Sequence, residues 1–127
     1  MKKMLVVEDD ELSQKTMSKI FKQKLEIVFC QSAGEFTAKF SKANYDIILL
    51  DISLSGIKQN LELAKEIKQH PMHMSTPIIC LTTQQQTKLR QTAIDSGTNL
   101  FLTKPVSNQV LREAVFSLIN SSFMKKY

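Results

Sequence analysis

The sequence predicts an open, doubly wound α/β sandwich. Three observations point there. Five short apolar runs punctuate the chain, segments with helical spacing follow each run, and 127 residues hold five such pairs and little else. Right-handed crossovers between parallel strands put helices on both faces of the sheet.

The elements follow in order. LVV (5–7), IVFC (27–30), DIILL (46–50), IICL (78–81) and LFLT (100–103) are short and mostly β-branched or aromatic, and read as parallel strands buried on both faces. After the first run, Thr16, Met17, Ile20 and Phe21 form one helical stripe. Phe36 and Phe40 form a second, behind a capping box of Ser32 and Glu35. Ile57, Leu61, Ala64 and Ile67 form a third. Segment 85–96 is the weakest, with Leu89, Ala93 and Ile94. Val110, Leu111, Ala114, Val115 and Leu118 form the clearest stripe, with Ser107 as N-cap. Only 22 residues follow Pro105, enough for one helix, so one domain over 1–127 without an output domain is expected.

Composition narrows the classes. With 43% hydrophobic and 23% charged residues the chain is ordinary for a globular domain. No apolar run approaches the roughly 18 residues that span a bilayer, so no membrane association is expected. MKKMLVV starts basic, but Glu8, Asp9 and Asp10 cut its apolar part short, which makes a poor signal peptide and favours a cytoplasmic protein. Cys30 and Cys80 lie in strand-like runs and read as buried thiols. His70 and His73 flank Pro71 in a polar loop and read as surface residues rather than ligands. The net charge of +5 is spread over Lys15, Lys19, Lys22, Lys24, Lys65, Lys68, Lys88 and Arg90. It accompanies no nucleic-acid-reading motif, so no direct nucleic-acid binding is expected.

Ligands of such sheets bind beyond the carboxyl ends of the strands. The first strand ends in Glu8-Asp9-Asp10, the third in Asp51, the fourth in Thr82-Thr83 and the fifth in Lys104-Pro105. Clustered carboxylates repel one another and raise each other's pKa, and a divalent cation reverses this. Mg²⁺, or Mn²⁺ in its stead, suits an oxygen-rich site of one or two carboxylates. Glu8, Asp9 and Asp51 bring −3, and the ion with Lys104 brings +3. An aspartate in this setting can act as a nucleophile and form an aspartyl phosphate, with the Thr82 hydroxyl and Lys104 as donors to the added charge. VVEDDELS contains no glycine, so the first turn is not a nucleotide-cradling loop.

LVVEDDE (5–11), IILLDISLSG (47–56), IICLTT (78–83) and LFLTKP (100–105), in this order and spacing, resemble the receiver domain of two-component response regulators over nearly the whole chain. The resemblance implies a (βα)5 flavodoxin-like three-layer sandwich with strand order 2-1-3-4-5. It implies Asp51 as phosphoacceptor, Asp9 as direct metal ligand and Glu8 acting mainly through water. The Ser53 main-chain carbonyl would complete the metal shell. Thr82 falls at the switch hydroxyl, Lys104 at the phosphate-binding lysine and Phe101 at the switch aromatic, and the Lys104–Pro105 bond is expected cis. A histidine kinase or histidine phosphotransfer protein would be the donor, and a downstream protein would read the surface of the fourth helix, fifth strand and fifth helix. A monomer or weak phosphorylation-dependent dimer is implied, with no turnover of an external substrate.

The sequence departs from the family pattern after the phosphoacceptor. Receivers often carry Pro-Gly and then Met-Asp-Gly there, whereas this chain reads Ser55-Gly56-Ile57-Lys58-Gln59-Asn60. That loop is the support for an alternative, a receiver-like interaction module that works without phosphorylation. A phosphatase of the haloacid dehalogenase type would need a second acid two residues after the nucleophile, where Ser53 stands. Ser53 and Gln84 occupy positions at which family members tune loss of the phosphoryl group.

Overall fold

The computed structural model describes residues 1–40, 42–52, 57–83 and 87–124. Five strands, β1 (Lys3–Val7), β2 (Glu26–Cys30), β3 (Ile47–Ile52), β4 (Ile78–Thr82) and β5 (Leu100–Thr103), alternate with five helices, α1 (Glu11–Ile20), α2 (Ala33–Phe40), α3 (Ile57–Gln69), α4 (Thr87–Asp95) and α5 (Asn108–Met124). The strands form one parallel sheet in the order β2-β1-β3-β4-β5. This is the predicted doubly wound architecture.

Strand alternation divides the core into two layers. Leu5, Val7, Ile48, Leu50, Ile78 and Cys80 meet Phe36, Phe40, Leu61, Ala64, Ile67 and Ala93, which places α2, α3 and α4 on one face. Met4, Val6, Ile47, Leu49 and Ile79 meet Met17, Ile20, Phe21, Leu111, Val115 and Ile119, which places α1 and α5 on the other. The described residues of β1 and β4 are almost wholly buried, because helices cover both their faces. The edge strands β2 and β5 are only partly buried, against the reading of all five runs as buried on both sides. An edge has a neighbour on one side only, and composition does not reveal which run lies there.

Local chemistry explains the helix ends. The Asp10 carboxylate accepts from Ser13 N–H at 2.8 Å and caps α1. Ser32 Oγ accepts from Glu35 N–H at 3.2 Å and Ser107 Oγ from Val110 N–H at 3.1 Å, as their spacing predicts. Glu35 reaches back to the Gln31 N–H. At the end of α4, Thr98 N–H bonds to the Ala93 carbonyl and Gly97 N–H to that of Ile94, a Schellman motif. It needs the φ of +105° that Gly97 adopts. A Cβ at Gly97 would meet the Lys68 side chain at 2.6 Å. Lys68 Nζ in turn donates to the carbonyls of Met74 and Thr76.

Three stripe assignments need correction. Thr16 is exposed and bonds to the Leu12 carbonyl. Ile94 and Val110 are also exposed, each at the margin of its apolar arc. A stripe read at 3.6-residue spacing includes such margins whether or not a neighbour covers them. Both cysteines are buried and unpaired, and burial pushes Cys30 up to about 11 and Cys80 to about 12.

The reading of His73 as a surface residue is overturned. His73 is 1% exposed. Its ring lies 4.4 Å from that of Phe40 and 6.0 Å from that of Tyr45, centre to centre. A polar-looking turn folds back over the end of α2, a tertiary contact that local polarity does not announce. Among the described residues no helix is long and apolar enough to cross a membrane.

Candidate functional site

The carboxyl edge of the sheet collects the polar strand tips. The register pairs Val6 with Leu49 and Val7 with Leu50, so one further step sets Glu8 beside Asp51. Both continue the alternation of the α1/α5 face, Glu8 after Met4 and Val6, Asp51 after Ile47 and Leu49. Glu8 N–H donates to the Cys30 carbonyl at 2.9 Å and prolongs the β1–β2 ladder past the strand end. From the other side, Lys104 N–H donates to the Thr82 carbonyl at 2.7 Å and prolongs β4–β5. Lys104 Nζ then reaches Asp51 Oδ1 at 2.8 Å. Asp51 and Lys104, far apart in sequence, form an ion pair in which the Asp51 side chain is only 7% exposed. The Lys104–Pro105 bond is cis, as the resemblance implies.

Glu8 is equally buried, at 6% exposed. Burial pushes its carboxyl up to about 8, and the Asp51 carboxylate, toward which its proton can bridge, adds to the rise. The Asp10 N–H, which donates to Glu8 Oε1 at 2.9 Å, and the Lys104 ammonium act in the opposite direction. Among the described residues Glu8 Oε2 meets no donor. Two facing carboxylates cannot hydrogen-bond without a proton or a cation between them, so this orphaned oxygen is where one belongs.

The remaining expected residues divide. Asp9 is exposed, at the rim of the cluster. Thr82 is fully buried at the end of β4, where it pairs with Ile52 and Thr103 in the sheet register. Phe101 pairs in register with Cys80 and is buried in the core on the α2/α3/α4 face, 5% exposed. Ser53 and Gln84 lie outside the described residues, as does the side chain of Lys58. A groove of about 460 Å³, lined by Thr83, Lys104, Pro105 and Val106, opens beside the cluster.

One contributor is not apparent from the sequence. Gln14 Nε2 donates to the Glu8 carbonyl at 2.7 Å and ties α1 to the acidic turn. Its position one turn into α1, on the side that faces β1, is the only sequence signal, and a surface glutamine shares it.

Among the described residues no three His, Cys, Asp or Glu side chains close around a common point. The donors still fit Mg²⁺. That ion keeps several of its waters and is held by one or two carboxylates, and here two buried carboxylates adjoin, with one oxygen lacking a donor.

Relatives share this arrangement of elements. The transcriptional regulatory protein ResD of Bacillus subtilis is 29% identical over 98% of this chain and 51% of its own length. The chain spans about half, or less, of the curated relatives it matches. A crystal structure of a response regulator from Chloroflexus aurantiacus superposes with a TM-score of 0.83 at 26% identity, covering 94% of this chain and 98% of that one. The receiver domain of the sensor histidine kinase PA1611 from Pseudomonas aeruginosa superposes at 0.80 with 22% identity, covering 94% and 98%, and that structure holds a magnesium ion in its active site cleft. The family model for the response regulator receiver domain matches residues 4–116, and the chain therefore belongs to that family, the receiver domains of two-component signalling.

Proposed function

We propose that Asp51 is the phosphoacceptor of this receiver and takes its phosphoryl group from a phosphohistidine on a histidine kinase or a histidine phosphotransfer protein. The observation that carries this reading is the 2.8 Å pair of Lys104 and a buried Asp51 beside Glu8. An Asp51 oxygen attacks phosphorus as the N–P bond of the donor breaks, and the imidazole leaves with the bonding electrons. Lys104 orients Asp51 beforehand, then meets the incoming phosphoryl oxygens. Packing around Asp51 keeps bulk water from competing for the same phosphorus. Glu8, Asp9 and Asp51, with the Ser53 carbonyl, are the groups that would hold Mg²⁺. When bound, the ion neutralises charge on the transferring group, which is most of what phosphoryl transfer requires of a protein.

Phosphorylation adds negative charge and three acceptor oxygens to the cluster. Thr82, at the neighbouring strand end, is the hydroxyl we assign to that new acceptor. Its movement would draw the β4–α4 segment inward, and Phe101 would repack with it. A downstream protein would read the change on α4, β5 and α5, provided that it binds the two states with different affinity.

Incubation with acetyl phosphate and Mg²⁺, followed by mass measurement, tests the assignment. The wild type gains one phosphoryl group and Asp51→Asn gains none. A wild type that stays unmodified, or a variant that gains equally, would overturn the proposal.

A further inference from the structure

The turn from α3 to β4 carries the sequence His70-Pro71-Met72-His73-Met74. It stands at the amino end of β4, about 15 Å of strand away from the phosphoacceptor edge. Two imidazoles and two thioethers fall within five residues. We infer that this turn is a binding site for a soft monovalent metal ion, Cu⁺ or its surrogate Ag⁺, with His70, Met72, His73 and Met74 as donors.

The first observation is His73 itself. It is 1% exposed, yet among the described residues neither ring nitrogen has a hydrogen-bond partner. Buried polar atoms are nearly always satisfied, and one that is not requires a reason. Metal ligation by a lone-pair nitrogen supplies one.

The second observation is spacing. The His70 and His73 ring centres are 5.5 Å apart. With metal–nitrogen bonds of roughly 2.0–2.1 Å, two imidazoles that share one ion have ring centres about 5–6 Å apart. His70 Nδ1 accepts from the exposed Met72 N–H at 3.2 Å, so it carries the lone pair, and the ion would exchange that single bond for one from Met72 N–H to water.

The third is donor type. Met72 and Met74 are 49% and 61% exposed, on the turn that an entering ion must open. Zinc calls for three or four strong nitrogen, oxygen or thiolate ligands, and no third His, Cys, Asp or Glu joins the pair among the described residues. Thioethers with imidazole select Cu⁺ instead. The surroundings agree. Phe40 packs on both imidazoles, and the Lys68 ammonium engages the Met74 and Thr76 carbonyls. An apolar pocket beside a fixed positive charge tolerates a single charge better than two.

The test is an Ag⁺ titration of protein labelled at the methionine methyl carbons, with Cu⁺ affinity measured against a chromophoric chelator. One equivalent should bind, with saturable shifts at Met72 and Met74 and none at the buried Met4 and Met17. Met72→Leu/Met74→Leu and His70→Gln alter exposed or half-buried positions and should fold. Each should weaken binding at least about tenfold, the lower end of what losing even a supporting group costs a metal site. Failure to retain an equivalent overturns the inference. So does unchanged affinity in both variants, which would put the ion on Cys30 or Cys80, and so does tighter binding of Zn²⁺ than of Cu⁺.

Discussion

The two ends of the central strands bury polar groups in opposite ways. At the carboxyl edge, Glu8 and Asp51 lie against each other and Lys104 closes on them. At the amino edge, the turn 70–76 folds His73 into an aromatic cage, with neither ring nitrogen bonded among the described residues. The first is a charged cluster in which the Asp51 carboxylate raises Glu8 and the Lys104 ammonium lowers it. The second is a ring packed against Phe40, Tyr45 and the His70 imidazole. The contrast teaches that burial has opposite proton linkage at the two ends. It makes Glu8 hold its proton and makes His73 refuse one.

The largest expected effect tests the charged end. Folded Glu8 titrates near 8, against an ordinary value of 4.5. Between these values the folded protein keeps a proton that the unfolded chain has released. Its contribution to stability is complete below pH 4.5 and is lost as pH rises through 8. In EDTA, urea midpoints of the wild type should fall across that window, and Glu8→Gln should flatten the slope. A slope that survives the substitution would assign the linkage elsewhere.

Next in size is Lys104→Met. Removing one partner of a buried pair costs about 3–5 kcal/mol. Because Lys104 is one-third exposed, about 2 kcal/mol is expected here by urea denaturation at neutral pH. The same variant should accept phosphoryl groups from acetyl phosphate more slowly than wild type.

The neutral end responds with the opposite sign. His73 in the fold titrates below its ordinary 6.5, so the unfolded chain takes a proton first as pH falls. Stability should decline below about pH 6.5, and the linkage should vanish above it. His73→Phe removes the two unsatisfied nitrogens. In metal-free protein it should gain about 1 kcal/mol and lose the acid-side slope. An effect of similar size calibrates the rest. Ser107→Ala removes only the α5 cap and should cost about 1 kcal/mol equally at all pH values, since it lies at neither cluster.

Much of this arrangement could be read before folding. Parallel strands buried on both faces need unbroken apolar runs, and the five runs stand out for that reason. Polar residues that end such runs mark the edge where a site can form, so Asp51 and Lys104 were readable as partners. Which acid of the Glu8–Asp9 pair turns inward is set by alternation from Met4 and Val6, a signal present in the sequence but visible only once the β1–β3 register is known. The burial of His73 had no such signal, since it depends on the turn closing over Phe40. Nor did the Gln14 clamp, because a helix-surface glutamine looks the same whether or not a carbonyl lies within reach.

Lys68 looks by type and position like one more solvated lysine on α3. Its stem lies over bare Gly97 backbone, and its tip spans the carbonyls of two residues before β4. The end of α3, the turn after it and the turn after α4 are thereby fastened at one point. Acetylation of this amine, or any side chain at 97, would loosen all three together. Tolerance to change in this corner of the molecule is set by a staple that polarity alone would have marked as free to vary.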